Sequence, residues 1–319
     1  MSTPLPSNAE LALRGHQGQL RHPATTGIAP EKRVTLLGPR RRGPARADPH
    51  QPLELMQNTT RRTCGVLLHP TSLPGPHGIG ALGKHARAFV DFLHAAGQGI
   101  WQVLPIGPTG YGDSPYACLS TFAGNPLLID LDTLVEDGLL TADELASAPM
   151  STARVDFGAV IPFKLPLLER AAARFPSRAR AAQRQAFEAF CAEHAWWLEE
   201  YALFWALKGA HQGRPIHEWS DDVRLREPRA LERAREQFAP QLRMVRVIQF
   251  LFFEQWAALR EYARAKQVCM MGDMPIFVAC DSDAVWAHPE LFKLDEDLAP
   301  TVVAGVPPDY FSETGQLWG

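Results

Sequence analysis

Cys64-Gly65-Val66-Leu67-Leu68-His69-Pro70 is a short apolar run closed by a proline, the pattern of a buried strand that ends where the ladder loses its amide donor. Just beyond it, the segment from Thr71 to Gly80 holds Pro74, Gly75, Pro76, Gly78 and Gly80, too many breakers for a regular element. Ala86, Phe89, Val90, Leu93 and Ala96 then recur at helical spacing, and Gly97 sits where a C-terminal cap belongs. Ile100-Trp101-Gln102-Val103-Leu104-Pro105 repeats the opening pattern. Strand, helix, strand in that order predicts a parallel pair with the helix as crossover.

Working outward, Ile106 to Pro126 reads as a long loop dense in Gly, Pro, Tyr and Ser, and loops of this length inside compact domains generally carry function or are disordered. The aromatic residues argue for function. From about Thr141 to Gln267 the periodicity is helical, with Val245, Ile248, Phe252, Trp256, Leu259 and Tyr262 on one face, which predicts an inserted helical subdomain over 141–267. Val268-Cys269-Met270-Met271-Gly272-Asp273 returns to strand character and ends in a carboxylate. Upstream, Met1 to Arg62 contains no Phe, Tyr or Trp and includes Pro39-Arg40-Arg41-Arg42-Gly43-Pro44. Such a segment cannot bury enough apolar surface to offset its ordering entropy. Residues 1–62 are therefore expected to be a disordered extension or a misassigned start, with Met56 as an alternative initiator, and 63–319 to form the folded part.

Short parallel strands separated by helices and decorated loops predict an α/β protein of the (β/α)8 TIM-barrel kind, with only the first strands present and with chemistry at the strands' C-terminal ends. A doubly wound sheet is the alternative, but no GxGxxG or GxxxxGK[ST] fingerprint follows the first strand. A composition 46% hydrophobic and 21% charged supplies a core, which excludes disorder throughout. The net charge of -3 provides no field to gather nucleic acid or an anionic membrane, so neither is an expected partner. No apolar run approaches the roughly 20 residues that span a bilayer. Five cysteines, odd in number and without a CxxC pair, fit a reducing cytoplasm.

The loop from Gly107 to Tyr116 places Tyr111, Asp113, Ser114 and Tyr116 just after a buried strand. Aromatic faces pack on the C–H faces of sugars while hydroxyls and carboxylates bind the sugar hydroxyls. The same residues also suit a Gly/Pro loop whose tyrosines pack on their own subdomain. Asp273, at a strand end, is the best-placed carboxylate. Retaining glycoside chemistry needs a second one about 5 Å away. Asp281 and Asp283 are within reach in sequence, although both read more simply as N-caps of a short helix around Ala284 to Trp286. The stretch from Gly305 to Gly319 reads as a Gly/Pro-bounded loop, either a lid or a mobile tail. His69, His77 and His288 lack metal-ligand spacing, so no metal is expected, and without a GxSxG elbow serine-hydrolase chemistry has no support.

Several of these segments together resemble one family, the amylomaltases or 4-α-glucanotransferases of glycoside hydrolase family 77. They are Gly65 to Gly75, Trp101 through Asp113-Ser114-Pro115-Tyr116, Phe122-Ala123-Gly124-Asn125-Pro126, Gly272-Asp273-Met274-Pro275-Ile276-Phe277-Val278, and Gly305 to Gly319. The resemblance runs from Cys64 to the end. It implies cytoplasmic transfer of α-1,4-glucan segments between maltodextrins, amylose or glycogen-derived glucans by a retaining double displacement, without a cofactor. By the same resemblance Tyr111 belongs to a secondary glucan site, Ser114, Tyr116 and Asp273 contact the sugar, and Gln316 and Trp318 lie on a loop that closes over it. The family's Arg-x-Asp nucleophile and its acid/base Glu would fall beyond Gly319, which leaves no catalytic residue in this chain and predicts that it is inactive and poorly stable alone. A non-catalytic glucan-binding remnant is the competing expectation.

Overall fold

The computed structural model describes residues 62–148, 154–275, 277–310 and 312–317. Met56, Trp318 and all but the last residue of the expected 1–62 extension lie outside them.

The opening run forms strand β1, Gly65–Leu67, which stops at Leu68 and His69 before the proline. Pro70–Ser72 then makes one 3-10 turn, a correction to the expectation of no regular element there. His69 produces it by capping the turn, its ring accepting a hydrogen bond from the Thr71 amide, while Pro70 occupies a first-turn position that needs no donor. Helix α1, Lys84–Ala95, buries Ala86, Val90 and Leu93 and ends with Gly97 at a φ of 68°. Strand β2 is Ile100–Gln102, with Trp101 fully buried.

Helix α2, Leu131–Glu136, follows the long loop. Five further helices make up most of the chain to residue 265. They are α3 (Phe157–Arg178), α4 (Ala181–Ala210), the single turn α5 (Asp221–Arg224) and α6 (Pro228–Gln237), and α7 (Ala239–Ala265) closes the run. α3 continues through Pro162, Pro166 and Pro176, each of which removes a backbone donor. Burial of Val160, Leu168, Ala171 and Phe175 offsets that loss. Phe175, Phe187, Phe190 and Phe250 meet edge to face where α3, α4 and α7 converge. α7 packs on α1 as well as on α3 and α4, and delivers the chain to strand β3, Cys269–Met271.

The three strands form one parallel sheet in the order β1-β2-β3, with Val66, Trp101 and Met270 side by side. Their C-terminal ends therefore face the same way. Helix α8, Asp283–Ala287, is capped by Ser282, whose hydroxyl accepts from the Val285 amide. This corrects the expectation that Asp281 or Asp283 caps it. Asp281 is drawn off by an ion pair with Lys208 and by the Ile216 amide, and Asp283 is turned inward as the first helical residue. The terminal stretch, read as irregular, contains an antiparallel pair of strands, β4 (Gly305–Val306) and β5 (Gln316–Leu317). Among the described residues no helix is long and apolar enough to cross a membrane.

Candidate functional site at the strand ends

The C-terminal ends of β1 and β2 are tied together before any loop departs. His69 reaches from the end of β1 to the Pro105 carbonyl, 3.2 Å from Nε2, and to the Thr71 hydroxyl, 2.7 Å from Nδ1. Since a carbonyl only accepts, Nε2 carries the proton there. Burial lowers the His69 pKa, which favours the neutral ring, and the Pro105 carbonyl selects its tautomer. The Trp101 indole donates to the Leu68 carbonyl at 2.8 Å, a second brace between β1 and β2.

The loop after β2 is closed at its base by the Asn125 amide on the Ile106 carbonyl. Higher up, Gly110 and Leu119 pair with Ala117 and Pro108 across an antiparallel bridge at Thr109 and Cys118. The tip is a 3-10 turn, Tyr111–Asp113, in which Gly112 and Asp113 both take positive φ. Below it the Cys118 thiol donates to the Pro115 carbonyl, and burial pushes its pKa up to about 11, so it is a packing group and not a nucleophile.

This closed loop brings Tyr116 to Asp273. The Tyr116 hydroxyl donates to Asp273 Oδ2 at 2.7 Å, across 157 residues of sequence, and the Met274 amide donates to Oδ1 at 2.8 Å. Both carboxylate oxygens are thus held while the pair stays exposed. The hydrogen bond to Asp273 raises the Tyr116 pKa, so the phenol remains a donor. Ser114 stands beside them, its Oγ accepting from the Tyr116 amide at 3.3 Å. An exposed phenol face, a hydroxyl and an oriented carboxylate can grip a polyhydroxylated ring, with C–H groups on the aromatic face and hydroxyls on the oxygens.

Three of the residues singled out from sequence, Ser114, Tyr116 and Asp273, are therefore gathered in one place. Tyr111 starts the tip turn, but its side chain lies outside the described part, as does Trp318. Gln316 sits on β5, paired with Val306 in a sheet separate from the three parallel strands.

Sequence reasoning missed the group that fixes the loop from behind. Ser120 Oγ donates to Asp283 Oδ2 at 2.7 Å and accepts from the amides of Phe122 and Ala123, and the Asp283 amide donates to the Leu119 carbonyl. A serine two and three residues before the amides it caps is a local signal, but its aspartate partner is 163 residues away.

Burial raises the Asp283 pKa from 3.8 to about 6. The native state holds this proton more tightly than the unfolded chain does, so its contribution to stability is complete below about pH 4 and is lost as pH rises through about 6. A displacement of this size is worth roughly 3 kcal/mol. Urea midpoints of the parent should accordingly fall relative to Asp283→Asn between pH 4.5 and 7.5. A constant difference between the two proteins over that range would show that Asp283 does not hold the proton.

What the fold and site define is an α/β protein with a tyrosine, serine and carboxylate cluster on the C-terminal ends of parallel strands. The sequence profile described as 4-alpha-glucanotransferase matches residues 68–319. The chain is 55% identical to a 4-alpha-glucanotransferase of Thermus thermophilus over 81% of its own length and 51% of that relative, and 47% identical to one of Synechocystis over 81% and 52%. Among solved structures it is similar to amylomaltase from Streptococcus agalactiae in complex with acarbose, with a TM-score of 0.77 and 40% identity over 81% of this chain and 52% of that one. The chain belongs to the 4-alpha-glucanotransferase family, and it spans about half the length of the curated relatives it matches.

Proposed function

We propose that residues 63–319 are the sugar-gripping part of a 4-α-glucanotransferase that moves α-1,4-glucan segments between maltodextrin chains by a retaining double displacement. The observation that carries this reading is the Tyr116–Asp273 hydrogen bond at the strand ends, in a chain 55% identical to an enzyme of that name. Ser114, Tyr116 and Asp273 hold the donor sugar, Tyr111 offers an aromatic face to a neighbouring glucan, and Gln316 and Trp318 cover the bound chain.

In the same reading β1, β2 and β3 are the first strands of a (β/α)8 barrel, with 141–267 as its helical insertion and 1–62 as an extension. Leu67 and Met271, each about half exposed on the two outer strands, favour further strands on both sides. Asp273 has both oxygens committed to a phenol and an amide, which suits a binding carboxylate better than a nucleophile. We place the nucleophilic Asp and the acid/base Glu in chain that follows Gly319. The reaction is then cytoplasmic and free of any cofactor.

Titration with acarbose, followed by incubation with maltotriose, tests the reading. The 319 residues should bind acarbose, Asp273→Ala should weaken that binding at least tenfold, and no glucose should appear. An unchanged affinity in Asp273→Ala overturns the site. Glucose together with longer maltodextrins overturns the placement of the catalytic carboxylates.

A further inference from the structure

The loops that leave β2 and β3 are stitched together at two levels. The outer stitch, Tyr116 to Asp273, is exposed. The inner one joins Ser120, 2% exposed, to Asp283, 6% exposed, so neither side chain is open to a ligand. Ser120 Oγ donates to Asp283 Oδ2, and the Asp283 amide donates to the Leu119 carbonyl at 3.0 Å. The Leu119 amide in turn donates to the Pro108 carbonyl, and the Gly110 amide to the Ala117 carbonyl. A register fixed at Asp283 is therefore handed directly to the stretch that carries Ser114 and Tyr116.

Asp283 is not free to follow that loop if it moves. It opens α8, whose Trp286 is fully buried, donates from its indole to the Val223 carbonyl at 2.9 Å and lies 4.2 Å beneath the Arg226 guanidinium. α8 is thus seated against α4 and α5 while its first residue grips the loop. The groups aimed at the Asp283 carboxylate are the Ser120 hydroxyl and the amides of Thr121 and Ala284, all of them donors. An ionised carboxylate accepts from all three, whereas the neutral acid sets an O–H donor among donors. The ionisable groups facing it are His288, just past α8, and the Tyr201 phenol of α4, which burial keeps neutral. The Lys208–Asp281 ion pair stands two residues before it.

We propose that Asp283 is a positioning residue for sugar binding, whose ionised carboxylate, acting through Ser120, holds the loop after β2 where Tyr116 meets Asp273, and whose neutral form lets that loop slacken. The inference rests on the glucan reading of the Tyr116–Asp273 site. It gives one group opposite effects on two measurable quantities. Desolvation is the larger influence on the proton, so the folded protein favours the neutral acid, and that share of stability is lost as pH rises through about 6. The grip on the loop, and with it sugar affinity, is gained over the same interval. A purely structural role would move stability and affinity together.

Acarbose titration of the 319-residue chain beside Asp283→Asn, which keeps the shape and mimics the neutral acid, tests the proposal between pH 4.5 and 7.5. The ratio of parent to variant affinity, in which titration of the ligand and of Asp273 cancels, should rise from near unity to about fivefold, the worth of one net hydrogen bond. Urea midpoints of the same pair should move the other way. Ser120→Ala should weaken acarbose binding by a similar factor at pH 7.5, and the double variant by no more than either alone. A ratio that stays constant over the range, one that moves in the same direction as the urea midpoints, or losses that add in the double variant each overturn the proposal and leave the strand-end site standing. A parent that binds no acarbose at any pH in the range overturns this inference and the proposed function together.

Discussion

Lys164→Ala is expected to cost this protein about 4 kcal/mol of unfolding free energy, enough to consume much of the margin of an ordinary domain. Lys164 is fully buried in α3, yet its ammonium donates to the Leu127 and Ile129 carbonyls, each at 2.7 Å. Truncation leaves two buried acceptors unpaired at about 1–3 kcal/mol each and opens a cavity where the four-carbon stem was. Against this stands the relief of burying a charge, which pulls the Lys164 pKa down to about 7. Because the native state binds this proton less tightly than the unfolded chain, the lysine's contribution grows as pH rises from about 7 toward 10.5. Lys164→Met, which fills the space without the charge, should lose less than the alanine variant and should flatten that rise. Denaturant midpoints at pH 7 and pH 9.5 decide it, and a neutral alanine variant would mean that water replaces the ammonium.

Gly124→Ala carries the second large effect, a loss of about 3 kcal/mol. A Cβ at this position would lie 2.0 Å from Phe252 Cδ1, and Phe252 is 1% exposed in the middle of α7. Ring and backbone have no room to part, because Gln249, one turn earlier on α7, grips Gly124 twice, accepting from its amide at 2.8 Å and donating to its carbonyl at 3.0 Å. Overpacking of this kind costs about 1–3 kcal/mol, and the strained hydrogen bonds add to it. Melting of the variant measures the loss, and acarbose titration should show weaker binding as the loop base shifts. A melting temperature within a degree of the parent would show that the helix yields.

The three strands were legible because each is a short apolar run cut off by a proline or a carboxylate, and α1 because its apolar spacing ends at a glycine. The contacts that assemble the site were not. Nothing local to Tyr116 points to Asp273, and Ser120 gives no hint of Asp283, since both partners arrive only when α7 folds back over the sheet. Lys164, between Phe163 and Leu165, reads as the polar residue of an amphipathic helix, and only the positions of the Leu127 and Ile129 carbonyls explain its burial. The cap of α8 went to Ser282 although two carboxylates flank it, because each of these had a stronger partner elsewhere. β4 and β5 escaped notice because strands of two residues have no periodicity to read.

Gln255 repeats on Asp130 what Gln249 does on Gly124, accepting from the backbone amide at 2.7 Å and donating to the carbonyl at 3.1 Å. Both pairs join residues 125 positions apart. On a ribosome, which releases the chain from its N-terminus, the amides of Gly124 and Asp130 wait for more than a hundred residues to be added before their partners exist. The loop after β2 is consequently among the last parts of this region to acquire its shape, and the long loop closure that fixes it ranks with the slow steps of folding.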